Sequence, residues 1–248
     1  PGDSSRAGPA TTAPPLPRVR PTIADCIARL TFSFRFAAET GIGALARAVN
    51  AGDADAALAV LDDPAVEDVT RVPSPPVDRA GRLHAVLAAW VDAGYGPYLD
   101  ALEQAKRDPG AIERALAALA GFRVLCAHRR GPTGVGAVGG AVVETLARTG
   151  RIAPVGEHWR GRPLLVTRND DALRLYNGDV GLVAPDPDAD GRLRAFFPGA
   201  EGRPRAFAPP RLPPHETVFA MSVHKSQGSE FDAVAVVLPA EGSPILTR

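Results

Sequence analysis

Residues 122–150, FRVLCAHRRGPTGVGAVGGAVVETLARTG, constrain the fold more than any other segment. The opening run, residues 122–129, is compact and rich in β-formers, as a buried strand is. A Gly-rich loop follows, then a helical stretch that ends at Gly150. Strand, loop and helix in that order make a parallel α/β unit, so the expected fold class is α/β.

The remaining chain can be read around that unit. Residues 1–21 are Pro, Ser, Ala, Thr and Arg without periodicity, the pattern of a tail or linker. Residues 23–36 are apolar and aromatic enough for a strand, or for a short helix running into one. ETGIGALARAVNAGD reads as a helix with Ile42, Leu45, Ala46 and Val49 on one face and Gly52 as its stop. DADAALAVLDD reads as a second short helix, followed by a Pro-rich turn. Residues 83–93, 97–106 and 111–120 are amphipathic and read as three helices. From about Arg160 the texture changes to short β-like pieces joined by turn dipeptides such as Asn177-Gly178 and Asp190-Gly191, the pattern of a small antiparallel barrel or meander. A strand, a polar loop at residues 224–229 and a second strand at residues 233–238 then close the pattern.

That polar loop gathers residues the chain otherwise hardly uses. The sequence has two lysines, two glutamines, five histidines and one methionine, yet Met221, His224, Lys225 and Gln227 fall within seven positions. Ser222, His224, Lys225, Ser226, Gln227 and Glu230 place polar side chains at a strand end, where open α/β sheets bind ligands. Gly228 allows a tight turn and close backbone approach to a phosphate or base.

Composition narrows the function. Formal net charge is zero, with 28 basic and 28 acidic residues, so nucleic-acid binding requires a local groove rather than a global field. Cys26 and Cys126 are too few for a disulfide framework, and the simple inference is a reducing cytoplasm with no membrane span. The Gly-rich GPTGVGAVGG lacks the Gly-Lys-Ser/Thr ending of a phosphate loop, so no complete NTPase site is expected here. The histidines His84, His128, His158 and His215 are expected to be too scattered to ligate a metal. Trp90, Tyr95 and Tyr98 are expected to pack in helices rather than stack on bases. The chain starts at Pro1 without an earlier methionine and stops without an ending cue, so sequence on both sides is expected.

AMSVHKSQGSEFDAVAVVLP resembles the late motif, commonly TVHKSQGSEF, of the RecD branch of superfamily-one DNA helicases. Ser222 stands where that family usually has Thr and keeps the hydroxyl. GRPLLVTRNDDALRLYNGDVGLV is similar to the family's segment leading into a small SH3-like barrel, with Arg168, Asn169, Asn177, Gly178 and Asp179 in place. FSFRF followed by ETGIGALARAVNAGD, and FRVLCAHRRGPTGVGAVGG beside the family's LLCALREGPFGV, extend the likeness over residues 23–248. Gly139 and Gly140 depart from the family's Asn-Glu, so no site is carried over from that loop.

The resemblance implies the C-terminal half of a helicase subunit of the exodeoxyribonuclease V alpha type, acting in double-strand-break repair and recombination. The implied fold is a second RecA-like, P-loop NTPase-type motor domain with an inserted SH3-like β-barrel. Its implied boundaries are residues 1–22 (tail), 23–159 (motor domain, first part), 160–215 (barrel) and 216–248 (motor domain, second part, truncated). ATP with Mg²⁺ would be held mainly by the first motor domain. Other implied partners are single-stranded DNA and DNA ends, and RecB-like and RecC-like subunits. By resemblance, Arg35 reaches the γ-phosphate as an arginine finger. Gly228, Glu230, Gln227 and Lys225 lie near the nucleotide, with Lys225 open to DNA as well. Ser222, Val223, His224, Arg168 and Asn169 contact DNA, although Asn169 reads equally as a turn residue. Arg203 and Arg205 read as strand-guiding or as simply solvated. Two alternatives stand beside this reading: a stand-alone RecD-like helicase, and a DNA-binding module that has lost the first motor domain. The chain alone is expected to be inactive as an ATPase.

Overall fold

The structure is a computed structural model that describes residues 40–72, 75–105, 108, 110–239 and 243. The expected strand at residues 23–36, with Arg35, lies outside them. The chain forms two compact units, one ending at Arg71 and one beginning at Val72.

The first unit is a helical pair, α1 (Gly41–Ala51) and α2 (Ala54–Asp62). Gly52 ends α1 in the left-handed conformation at φ 72°, as the sequence predicts. Thr40 and Asp53 cap the two helices, each side chain accepting a backbone N–H. The buried positions of α1 differ from expectation. Gly41, Gly43 and Ala48 are buried, whereas Ile42 and Val49 are exposed within this unit. The reason lies at the helix start, where the Asp68 carboxylate accepts from Gly41 N at 3.0 Å and Ile42 N at 3.1 Å. That close approach turns the glycine side inward, because a Cβ at Gly41 would collide with Asp68 and Val66.

The second unit carries both sheets. Helix α3 (Ala85–Gln104) runs straight through Pro97, so two of the expected helices are one. A proline there removes one N–H bond and crowds the carbonyl four residues earlier, and burial of Leu87, Val91, Tyr95, Tyr98 and Leu102 along the helix outweighs that cost. Helix α4 (Ala111–Gly121) leads directly into β1 (Phe122–Cys126), every residue of which is buried. Helix α5 (Val135–Arg148) begins earlier than the Gly-rich loop suggested, so Gly136, Gly139 and Gly140 are helical. Gly134 is the position that needs glycine, because a Cβ there would lie 2.5 Å from the Arg130 backbone.

The remaining strands are β2 (Pro163–Val166), β3 (Val180–Pro185), β4 (Leu193–Phe197), β5 (Arg205–Phe207), β6 (His215–Thr217), β7 (Ala220–Ser222) and β8 (Ala233–Val237). Strands β7, β1 and β8 form a parallel sheet in that order. The two strands flanking the polar loop therefore do not pair with each other. Both run parallel to β1, with Cys126 opposite Ser222 on one side and Val237 on the other. This is the mixed α/β fold with a parallel sheet that the sequence predicts.

The antiparallel strands follow the order β5-β4-β3-β2-β6. The meander is as expected, with Gly178 at φ 103° and Asp190-Gly191 at φ 53° and 74° in its turns. The expected barrel closure is not found, and β5 and β6 remain the edges of this sheet. The link between them contains Pro209, Pro210, Pro213 and Pro214, which have no N–H to donate to a closing ladder. Strand β3 is buried on both faces: Leu182 and Ala184 join the main core with α3, α4 and α5, while Val183 joins Leu164, Val166 and Phe197.

Candidate nucleic-acid interface

The polar loop is set by how β7 is anchored. Two buried side chains hold the backbone just before it. Tyr95 Oη donates to the Phe219 carbonyl, and Arg123 Nη1 donates to the Val218 carbonyl at 2.7 Å. Arg123 is 1% exposed and also donates to the Leu119 carbonyl at 3.1 Å, with its guanidinium 5.7 Å from the Phe231 ring centroid. Burial raises the Tyr95 pKa to about 12 despite the nearby Arg123 charge, so its hydroxyl remains a donor at neutral pH. Tyr98, equally buried, donates to the Gly161 carbonyl at 3.0 Å. Tyr95 and Tyr98 are thus packing residues, as expected, and partly buried Trp90 packs against the same core.

At the C-terminal end of β7 the chain turns through a single 3₁₀ turn, Val223–Ser226. Buried Ser222 caps it, Oγ accepting from Lys225 N at 3.4 Å, and Ser226 Oγ donates to the Val223 carbonyl at 2.8 Å. Gly228 follows at φ 86°, a conformation that favours glycine. The result is a hydrogen-bonded turn presenting Val223, His224, Gln227, Gly228 and Glu230 to solvent. Lys225 is partly buried and pairs with Glu216 at 2.5 Å. Both partners are more than a quarter exposed, so the pair contributes well under about 1 kcal/mol and is easily exchanged for another anion.

A groove of about 430 Å³ opens beside this turn. Gly136, Gly139 and Gly140 of α5 line one side, and Trp159, Phe219 and Met221 line the other, with Arg129, Ser222, Glu216 and Lys225 among its polar groups. Trp159 lies parallel to Phe219, centroids 6.2 Å apart at 12°, and both are buried core residues that back the groove. A Cβ on Gly136 or Gly140 would meet nothing within 4 Å, so these glycines leave space without being forced by packing. Apolar walls carrying Arg129 and the paired Lys225 and Glu216 leave one net positive charge for an anionic ligand.

The structure brings Ser222, Val223, His224, Lys225, Gln227, Gly228 and Glu230 together on this one turn. Arg168 and Asn169 lie elsewhere, beyond β2 and exposed. Asn169 Oδ1 accepts from Asn177 N at 2.8 Å, which makes it a brace for the turn that Gly178 completes. Arg205 likewise braces that region, donating to the Leu173 and Arg174 carbonyls. Sequence reading missed the groove itself and Trp159, because the walls come from segments far apart in the chain.

One histidine expectation is overturned. His158 and His215 are not scattered: their rings stack with centroids 6.1 Å apart, where Arg162, bonded to Thr217 of β6 and to the Glu157 carbonyl, holds the segment before β2 against β6. Burial chiefly lowers the His158 pKa, with Arg162 and His215 acting in the same direction and Glu157 opposing. With Glu157 they form the one grouping of metal-compatible donors among the described residues. Two imidazoles and one carboxylate do not fit Mg²⁺, which takes oxygen ligands. Cys126 is buried in β1, which raises its pKa to about 11 and makes it a packing residue. Among the described residues, no helix is long and apolar enough to cross a membrane.

No protein-family model matches the chain. It is 43% identical over 222 residues to the RecBCD enzyme subunit RecD of Mycolicibacterium smegmatis, covering 90% of this chain and 36% of that protein. The RecBCD enzyme subunit RecD of Mycobacterium tuberculosis is 44% identical over the same shares, and that of Haemophilus influenzae 33% identical over 239 residues, 91% of this chain and 35% of that protein. The chain thus spans about a third of the length of the curated relatives it matches. Along nine-tenths of its length, with the VHKSQGSEF turn set at the end of a parallel strand, this chain is RecD-like.

Proposed function

We propose that this chain is the C-terminal motor-domain part of a RecD-type, ATP-dependent DNA helicase in an exodeoxyribonuclease complex with RecB-like and RecC-like partners. In this reading the parallel sheet with α3, α4 and α5 belongs to a second RecA-like domain spanning residues 23–159 and 216–248. The antiparallel sheet is the counterpart of the SH3-like insertion at residues 160–215. The observation that carries the reading is the hydrogen-bonded, solvent-facing VHKSQGSEF turn at the carboxyl end of β7, where α/β sheets bind ligands, in a chain that is RecD-like.

A single strand of DNA would run past the turn, its phosphates meeting Ser222, the Val223 backbone and His224. Arg168 would extend the path, held by the turn that Asn169 braces. Gly228, Glu230 and Gln227 would face the nucleotide, and Lys225 would leave Glu216 for whichever phosphate arrives. Arg35 would stabilise charge developing on the transferred phosphoryl group. ATP with Mg²⁺ would be held by the first motor domain of the same protein. One turn touching both ligands could link nucleotide state to grip on the strand.

The test is fluorescence anisotropy of a labelled oligo(dT) with the purified chain at several salt concentrations. The expected result is salt-dependent binding that weakens by about 5–10-fold in His224→Ala, the size of one or two hydrogen bonds to phosphate. Equal binding by His224→Ala and the parent chain would exclude the turn as the DNA contact.

A further inference from the structure

We propose that Glu157, His158 and His215 form a binding site for a borderline transition-metal ion of the Zn²⁺ class. Their donor atoms all lie within 4.8 Å of one another. The site joins two segments that are remote in sequence. Glu157 and His158 precede β2, while His215 opens β6 opposite Val166 at the far end of β2, and the approach is made by residues 157–162, which Arg162 ties to Thr217 Oγ1 and to the Glu157 carbonyl.

The surroundings prepare these side chains as ligands. His215 Nδ1 lies 2.9 Å from the Pro213 carbonyl, a hydrogen bond that places the proton on Nδ1 and leaves the Nε2 lone pair for a metal. Fixing of the ligating imidazole by a backbone carbonyl is the usual support of a metal-bound histidine. His158 Nε2 faces Glu157, 4.0 Å from Oε2, and the Glu157 side chain is 76% exposed and able to swing in. Both imidazoles are partly buried, so little side-chain freedom is lost on binding. Two nitrogens and one carboxylate oxygen, with a fourth position open to water, match the donor preference of Zn²⁺, Co²⁺ or Ni²⁺ rather than Mg²⁺ or Ca²⁺.

Arg162 opposes binding. Its Nη1 lies 3.4 Å from His158 Nδ1 and also donates to the Glu157 carbonyl, while its Nε donates to Thr217 Oγ1 at 2.8 Å. The Glu157 carboxylate offsets that charge, and the contact to Nδ1 is too long to fix the tautomer of His158. The ligands must draw together by about 1 Å or more to reach Zn–N and Zn–O distances near 2 Å. A bound ion would therefore tighten the segment before β2 against β6. Trp159 and Glu216 are the next residues in the chain and line the groove, so the ion would stiffen that wall.

The experiment is titration of the tag-free chain with Co²⁺, following the visible d–d bands, then displacement by Zn²⁺. One equivalent should bind with a four- or five-coordinate spectrum, and Zn²⁺ should raise the unfolding temperature while Mg²⁺ does not. His215→Ala and Glu157→Gln should each weaken Co²⁺ binding by about 10-fold or more, with the circular dichroism spectrum unchanged. Absence of a Co²⁺ spectrum would overturn the site. So would a spectrum that survives in the His158→Ala/His215→Ala double variant. DNA binding is measured separately, so either result leaves the proposed DNA contact standing or falling by itself.

Discussion

Tyr95 shows how one side chain sets the position of a functional loop. Its ring is fully buried against Phe122 and Phe219, and its hydroxyl satisfies the Phe219 carbonyl one residue before β7. Tyr95→Phe keeps the ring and leaves that carbonyl without its donor. The expected cost is about 1–2 kcal/mol, seen in urea unfolding as a lower midpoint at unchanged slope. An unchanged midpoint would mean that the hydroxyl does not anchor β7. At this scale the sequence was informative where a residue acts through its own type. Gly52 and Gly178 adopt positive φ, and His224, Gln227 and Glu230 are exposed, as their residue types favour. Asn169 was legible only as an even choice, and the Asn177 N–H on its Oδ1 supplies the brace that the turn reading describes.

At the scale of the element, α5 carries an unusual load of glycine for a helix. Each interior glycine costs about 1 kcal/mol relative to alanine. Gly140→Ala adds a Cβ that meets nothing within 4 Å, so it should stabilise the chain by about 0.5–1 kcal/mol in denaturant melts. Gly134→Ala should act in the opposite sense, because its Cβ would press on the Arg130 backbone at 2.5 Å. If both substitutions moved stability the same way, the assigned helix start would be wrong. The Gly-rich text reads as a loop because propensity is local, whereas burial of Val138, Val142 and Leu146 carries the helix through those glycines. The same limit explains α3, where one buried face spans Pro97 and joins what propensity separates.

At the scale of the whole chain, the legible part was whatever neighbours in sequence could encode: strand, turn and helix in one unit, a meander of short strands, and a motif between two strands. Pairing of remote segments was not legible. β7 and β8 look like partners in sequence, yet β1 lies between them, brought there from about a hundred residues earlier. His158 and His215 meet because the segment before β2 folds back against β6, and the groove exists because α5, Trp159 and β7, remote in sequence, line one space. The central claim concerns that groove and the turn at its mouth. The most direct measurement is to photo-crosslink a halogenated oligo(dT) to the chain and map the modified peptides by mass spectrometry. Adducts within residues 222–230 are the predicted result. Adducts confined to residues before Arg71, or to the face of the antiparallel sheet around Arg205, would contradict the proposed path.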